Sequence, residues 1–279
     1  MIDLLSNKIK GIMLMSTSIV LAACGGNGGD EVENTTLGIA SHLPPMTDIV
    51  EIAAENIAEP YTIELNEVTD NVQYNVAVQN KESYASFAQH EPFMESFNEA
   101  NDGNLTAIQT IYDPIVGFYS PVYDSMEEIE DGAEIAIPND VSNQARALLV
   151  LAEHDLIEVD ENVNPAAVSI DDVTSNPYDF KFTLIDLLNL SAAYEDGVDL
   201  VFNLPTYIAN VGLTPDDALF LESEDQTLFA LTVVIHEDNK DSEATQALID
   251  AFTSQAVYDY LTELSDVNHL YPAFDAPTE

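Results

Sequence analysis

Apolar and polar residues alternate along the chain with two periods, that of a β-strand in some segments and that of an α-helix in others. Residues 37–41 form a short apolar run, whereas 46–58 repeat apolar residues at helical spacing, with Thr47 as the expected N-cap. Strands are predicted at 37–41, 61–65, 105–112, 115–120, 133–137, 180–185, 198–202 and 228–235, and helices at 46–58, 91–100, 142–154, 243–252 and 255–264. Strands that alternate with helices in this way predict a mostly parallel α/β architecture.

The N-terminal segment has the pattern of an export signal. Lys8 and Lys10 precede a short apolar run at 11–20, and residues 21–24 read Leu-Ala-Ala-Cys, which is typical of a lipobox. We predict a signal peptide at 1–23, acylation of Cys24 with palmitate-type chains, and a polar tether at 24–36. The alternative is an uncleaved anchor helix with an incidental cysteine. The prediction places the protein on the outer face of the cell membrane, extracellular or periplasmic, held through a diacylglyceryl anchor.

The net charge of the chain limits the classes of partner that it can bind. The chain has 279 residues, with 51 Asp and Glu against 6 Lys and Arg, for a net charge of -45. A field of this sign repels nucleic acid and anionic lipid, so neither is expected as a partner. The acids are spread along the whole sequence, which indicates a halophilic acidic surface rather than a binding motif. The length exceeds one ordinary core and favours two lobes.

Two clusters carry candidate binding chemistry. Arg146, the only arginine, is expected in the first turn of the helix at 142–154, behind a loop that contains Asn139 and Asn143. Free N–H groups beside a guanidinium suit a carboxylate, and pairing with a nearby acid is an equal alternative. His90, between Phe87 and Phe93, stands where a strand gives way to a helix and suits an apolar or thioether group. A capping histidine among core aromatic residues is the alternative.

The same segments resemble a known family. The run PNDVSNQARALLVL at 138–151 is similar to the PNDxSNxxRAL signature of methionine-binding lipoproteins, the NlpA-type substrate-binding components of ABC importers. AQHEPFMESFN resembles the family's FQHxPYLxxFN, and VTDNVQYN stands in place of its DYVQPN-like run. The segments NPYDFKF, NVGLTPDDALFLESED and VVIHEDNKDSE follow at family spacing.

The resemblance implies a two-lobed periplasmic-binding-protein-like type II fold with a ligand cleft between the lobes. Lobe 1 is expected at 37–113 plus 237–279, and lobe 2 at 114–236. The implied function is capture of methionine, or a related small amino acid, and its delivery to an ABC permease with a cytoplasmic ATPase. Alternatives are a surface interaction lipoprotein without transport, or the same fold with a short peptide or a metal ion as ligand.

The resemblance also implies roles for single residues. Arg146 would grip the ligand carboxylate, and His90 would border the side-chain pocket. The expected ligand-binding residues are Arg146, Asn143, Asn139, His90, Phe87, Phe93, Tyr112, Asn203 and Tyr207. The chain departs from the family at Asn71, where a tyrosine is usual, and by one residue inserted between Asn203 and Tyr207.

Other chemistries lack their motifs. The five histidines show no HxxxH or HxH spacing, and no GxSxG or Walker loop occurs. Carboxylates are too common for any pair of them to indicate catalysis. We therefore expect no enzyme activity, no cofactor and no resident metal.

Overall fold

The strands form two main β-sheets, each of which covers its own apolar core. A computed structural model describes residues 35–223 and 227–278. The predicted signal peptide, Cys24 and the tether up to residue 34 lie outside the described residues. The strands are β1 Thr36–Ser41, β2 Thr62–Glu67, β3 Ala85–His90, β4 Leu105–Pro114, β5 Gly117–Tyr119, β6 Glu134–Pro138, β7 Glu158–Val159, β8 Val173–Ser175, β9 Lys181–Ile185, β10 Leu200–Asn203, β11 Phe220–Leu221, β12 Leu231–His236 and β13 Leu270–Pro272. The helices are α1 Met46–Asn56, α2 Gln73–Gln79, α3 Glu91–Asn101, α4 Val141–Glu153, α5 Leu190–Glu195, α6 Pro205–Ile208, α7 Glu243–Phe252 and α8 Gln255–Asn268.

Strand directions in the two sheets are mixed. The first sheet has the order β13-β4-β12-β3-β1-β2, and the second has the order β11-β5-β10-β6-β9. β1 runs parallel to β2 and β3, and β6 runs parallel to β9 and β10, whereas β12 lies antiparallel between β3 and β4. The expectation of a mostly parallel architecture was wrong, because β12 and β13 run against their neighbours in the first sheet and β5 runs against its neighbours in the second.

The chain crosses between the two sheets twice, which gives the predicted two-lobed fold. The first crossing is short, because β4 ends at Pro114 in the first sheet and β5 begins at Gly117 in the second. The return precedes β12, whose residues pair with β3 and β4. The expected lobe boundary at residue 236 therefore has to move, since Leu231–His236 belongs to the first sheet. The lobes have separate apolar cores, centred on residues such as Phe87 and Phe252 in the first and Phe118 and Phe202 in the second.

Two helix starts differ from their predicted form. α4 begins at Val141 with Asp140 as N-cap, so Arg146 lies in the second turn rather than the first. α1 follows the Pro44-Pro45 turn, and Pro45 rather than Thr47 is its N-cap residue. Among the described residues, no helix combines the length and the apolar character that a membrane span requires.

Candidate ligand cleft between the lobes

A cavity lies between the lobes, where β3 of the first sheet and β6 of the second both lead into helices. Its space free of atoms is about 480 Å³, mouth included. The lining is mostly apolar and aromatic, and it includes no Lys, Arg, Asp or Glu from the part of the chain that the structure describes. The lining residues are Met46, Asn71, Tyr74, Ala88, Gln89, His90, Phe93, Tyr112, Pro114, Asn143, Leu187, Leu204, Thr206, Tyr207 and Leu231.

Local hydrogen bonds fix the side chain of Asn143 at one wall of this cavity. Asp140 caps α4 by accepting the backbone N–H of Asn143 at 2.9 Å. The Asn143 amide nitrogen donates to both Asp140 carboxylate oxygens at 3.1 Å. The amide oxygen of Asn143 is therefore left to accept from another group.

That other group is His90, on the opposite lobe. Its Nδ1 accepts the backbone N–H of Phe93 at 3.2 Å, which caps α3, so the proton of the neutral ring lies on Nε2. Nε2 then donates to the Asn143 amide oxygen at 3.2 Å. Burial, and then the charge of Arg146, lower the pKa of His90 to about 3, which keeps the ring neutral at physiological pH. One hydrogen bond between neutral groups thus joins β3 to α4 across the cleft.

The remaining polar groups of the lining are neutral as well. Burial raises the pKa of the hydroxyls of Tyr74, Tyr112 and Tyr207 above the ordinary tyrosine value, so they stay protonated. Tyr112 and Thr206, from opposite lobes, both line the cavity. An apolar cavity with a few converging neutral hydrogen-bonding groups suits a small molecule with an apolar side chain and a compact polar end.

Arg146 lies behind this lining and is completely buried, at 0% exposure. Its Nε and Nη2 form a bidentate pair with Glu222, at 3.0 Å from Nε to Oε1 and 2.5 Å from Nη2 to Oε2. Nη2 also donates to the carbonyl of Pro114 at 2.7 Å, and the guanidinium carbon stands 5.1 Å from the ring centre of Phe229. The alternative that pairs this arginine with an acid is therefore what the structure shows. Nη1 has no hydrogen-bond partner among the described residues.

A second carboxylate faces the same guanidinium. Asp113 is 6% exposed, and its Oδ1 lies 3.6 Å from Arg146 Nη2 with no hydrogen-bond partner among the described residues. Burial raises the pKa of Asp113 to about 7, Arg146 opposes that rise, and the Glu222 carboxylate adds to it. The direction follows from the geometry, because Glu222 already makes the close contacts with the guanidinium. A further carboxylate there is costly to ionise.

The structure divides the predicted site residues into two groups. His90, Phe93, Tyr112, Asn143 and Tyr207 line the cavity. The expected places of the other four are corrected: Phe87 packs in the first core against Phe252, Asn139 is exposed, Asn203 bonds Ser191 and the N–H of Leu204, and Arg146 is held by Glu222.

Sequence reasoning missed other parts of the site. Gln89 lines the cavity, and its amide is paired reciprocally with that of Asn75. Arg146 is surrounded by Asp113, Glu222 and Phe229. No sequence motif marked any of these three residues as part of the site. Among the described residues, no cluster of three or more potential metal-binding side chains occurs.

The family model, the relatives and the solved structure to which this chain is similar are all described as lipoproteins. Residues 37–274 match the family model described as NlpA lipoprotein. The methionine-binding lipoprotein MetQ of Bacillus subtilis is 29% identical over 92% of this chain and 95% of its own length. The D-methionine-binding lipoprotein MetQ of Salmonella typhi is 30% identical over 87% of this chain and 89% of its own length. The crystal structure of a YaeC-family lipoprotein from Enterococcus faecalis shares 40% identity with a TM-score of 0.76, over 86% of this chain and all of that chain.

Proposed function

The chain belongs to the NlpA lipoprotein family, and from that premise we propose that it captures methionine, or a close relative of methionine, for an ABC importer. The observation that carries the proposal is the cavity between the lobes, which is walled by apolar side chains, has no charged side chain among its described lining residues and is closed by the bond from His90 to Asn143. Two relatives that align over most of their length are named for binding methionine or D-methionine. The family is one of substrate-binding proteins, not enzymes.

The side chain of the ligand is proposed to lie against the apolar wall. Phe93, Leu187, Leu204, Leu231 and Met46 supply that wall, and a thioether is soft enough to fill its irregular surface. Asn143, at the start of α4, is proposed to face the polar end of the ligand. Hinge closure between the lobes would bury the ligand and present one loaded shape to a permease.

Anchoring and partners complete the proposal. Cys24 is proposed to carry the lipid, and residues 24–36 are proposed as the tether between this lipid and the lobes. The partner would be a membrane permease coupled to an ATPase inside the cell, and the protein would act on the outer face of that membrane. The lobe division would follow the two sheets, with the second crossing ahead of β12.

Native mass spectrometry of the chain, purified without added ligand, tests the proposal. A retained mass equal to that of methionine, lost after unfolding and refolding and regained on adding methionine, is the expected result. His90→Ala should weaken this binding, because the variant loses the bond across the cleft. His154→Ala is the matched control, since His154 bonds Leu221 in the second lobe and does not line the cavity. Equal affinity of both variants would contradict the proposed site, and binding of no amino acid would favour the interaction lipoprotein.

A further inference from the structure

Arg146, Glu222 and Asp113 bury one positive charge with two carboxyl groups. Glu222 satisfies the side of the guanidinium formed by Nε and Nη2, and Asp113 stands farther off, at 3.6 Å. Two buried atoms remain without hydrogen-bond partners among the described residues, Nη1 of Arg146 and Oδ1 of Asp113. Buried polar groups are nearly always paired, so this cluster is incomplete without a further component.

The cluster lies directly behind the ligand cavity. Pro114 lines the cavity and follows Asp113 in the chain, and its carbonyl accepts from Arg146. On the other side, His90 lines the cavity and its ring is 5.2 Å from the ring of Phe229, on which the guanidinium lies. A ligand carboxylate at this end of the cavity would be separated from Arg146 and Asp113 by one layer of atoms.

We propose that Asp113 takes up a proton from solvent when a ligand carboxylate occupies the Arg146 end of the cavity. The inference rests on the proposed function, because it needs a ligand that carries a carboxylate. The arriving negative charge competes with Asp113 for the guanidinium and repels its carboxylate, and protonation relieves both effects. Protonation of Asp113 would thereby offset the charge of the ligand, so that the buried cluster gains no extra negative charge while Arg146 keeps its bonds to Glu222.

Among the ionisable groups of this cluster and its neighbours, Asp113 is the one expected to change its protonation state. Arg146 of α4 carries the positive charge of the cluster, and Glu222 makes the close charge-assisted contacts with it. On the neighbouring strand β13, Tyr271 is the register partner of Asp113, and the nearby His269 faces Asp216 at 3.5 Å. His90 remains neutral, since its pKa is lowered to about 3.

The sign and size of the effect follow from the Asp113 pKa of about 7. A carboxylate one atomic layer away, roughly 6 Å from Asp113, raises that pKa by about two units at an effective dielectric constant near 20. At pH 7.5 the protein should then take up about 0.7 of a proton per ligand, and near pH 5.5 almost none, because Asp113 is already protonated. Between pH 6 and pH 8.5 the affinity should fall roughly twentyfold.

Calorimetric titration of the full chain, in detergent, with L-methionine measures this uptake. The titration is run in phosphate and in Tris, whose ionisation enthalpies differ, and the difference in heat gives the number of protons bound. The expected result is about 0.7 of a proton at pH 7.5. Methioninol, which lacks the carboxylate, should bind without uptake, and Asp113→Asn should bind methionine with no uptake and a flat pH profile. Asp250→Asn, an exposed carboxylate bonded to Gln246, should behave as wild type.

The outcomes separate this inference from the proposed function. Binding of methionine with equal heats in both buffers at pH 7.5 overturns proton uptake and leaves the proposed function standing. Unchanged uptake in Asp113→Asn overturns the assignment to Asp113. The comparison is close, because the variant differs from wild type only by an amide nitrogen in place of one carboxylate oxygen. Absence of binding by methionine and by every other amino acid overturns the proposed function together with the inference.

Discussion

Replacing Asp113 with Asn should change how the stability of the protein depends on pH. Asp113 is 6% exposed, and its pKa is raised from 3.8 to about 7 in the folded chain, chiefly by burial. The folded state therefore binds this proton more tightly than the unfolded state does. The stability that the protonated group contributes is fully present below about pH 4 and is lost as pH rises towards 7.

The magnitude follows from the shift. A shift of about three units, at roughly 1.4 kcal/mol per unit, corresponds to about 4 kcal/mol of unfolding free energy lost between about pH 4 and pH 7.5. Asparagine has nearly the same shape and does not titrate. The difference in unfolding free energy between Asp113→Asn and wild type should therefore rise by about 4 kcal/mol over that window, in favour of the variant.

Urea unfolding of both chains at fixed molar salt, followed from pH 4 to pH 8, measures this difference. High salt screens the surface charge, so that the general repulsion among exposed carboxylates contributes equally to both chains. Asp250→Asn serves as the exposed control and should run parallel to wild type. If the curves for Asp113→Asn and wild type are parallel too, Asp113 does not titrate in this window and the account of the buried charges is wrong.

Three further predictions concern the anchor, the surface and the cavity. Cys24→Ser should lose palmitate in metabolic labelling, because the thiol is the proposed acylation site, and undiminished label would contradict the lipobox reading. The melting temperature of wild type should rise from low to molar salt, because screening reduces repulsion within a chain of net charge -45; a flat or falling trend would show that the acidity is no salt adaptation. Phe93→Ala should weaken methionine binding at the cavity wall, whereas Phe87→Ala should cost roughly 3–5 kcal/mol of stability in urea unfolding and leave ligand preference unchanged. Equal effects of the two substitutions on preference would contradict this division.

The elements that the sequence predicted best have strong local signals. α3 and α4 begin at residues whose side chains cap the helix, His90 and Asp140, and each is followed by apolar residues at helical spacing. The short elements β11 and α6 had no such signal, since two to four residues carry too little periodicity to distinguish them from a turn. The mixed direction of the first sheet could not be read from β12 either, because an apolar run is the same in both directions.

Prediction of the site from the sequence met a different limit. β3 lies between β1 and β12 in the middle of its sheet, so residues on both of its faces are buried, and the pattern cannot say which face meets the cleft. Phe87 was expected at the cleft because it flanks His90 and because the family resemblance implied it, and it lies in the first core. The sequence correctly singled out Arg146 as a candidate for pairing with a carboxylate. Its partner Glu222, however, is 76 residues away along the chain and is one of 51 acidic residues. A pairing of that separation is decided by tertiary contacts alone.

Calorimetric titration of all twenty amino acids against the refolded, ligand-free chain tests the central claim most directly. The account predicts that methionine binds with one site per chain and that Phe93→Ala weakens the methionine isotherm. Amino acids with charged side chains should not bind, because the described lining residues include no charged side chain to pair with them. Binding of lysine or glutamate in preference to methionine, or a methionine isotherm that Phe93→Ala leaves unchanged, would contradict the assignment of this cavity.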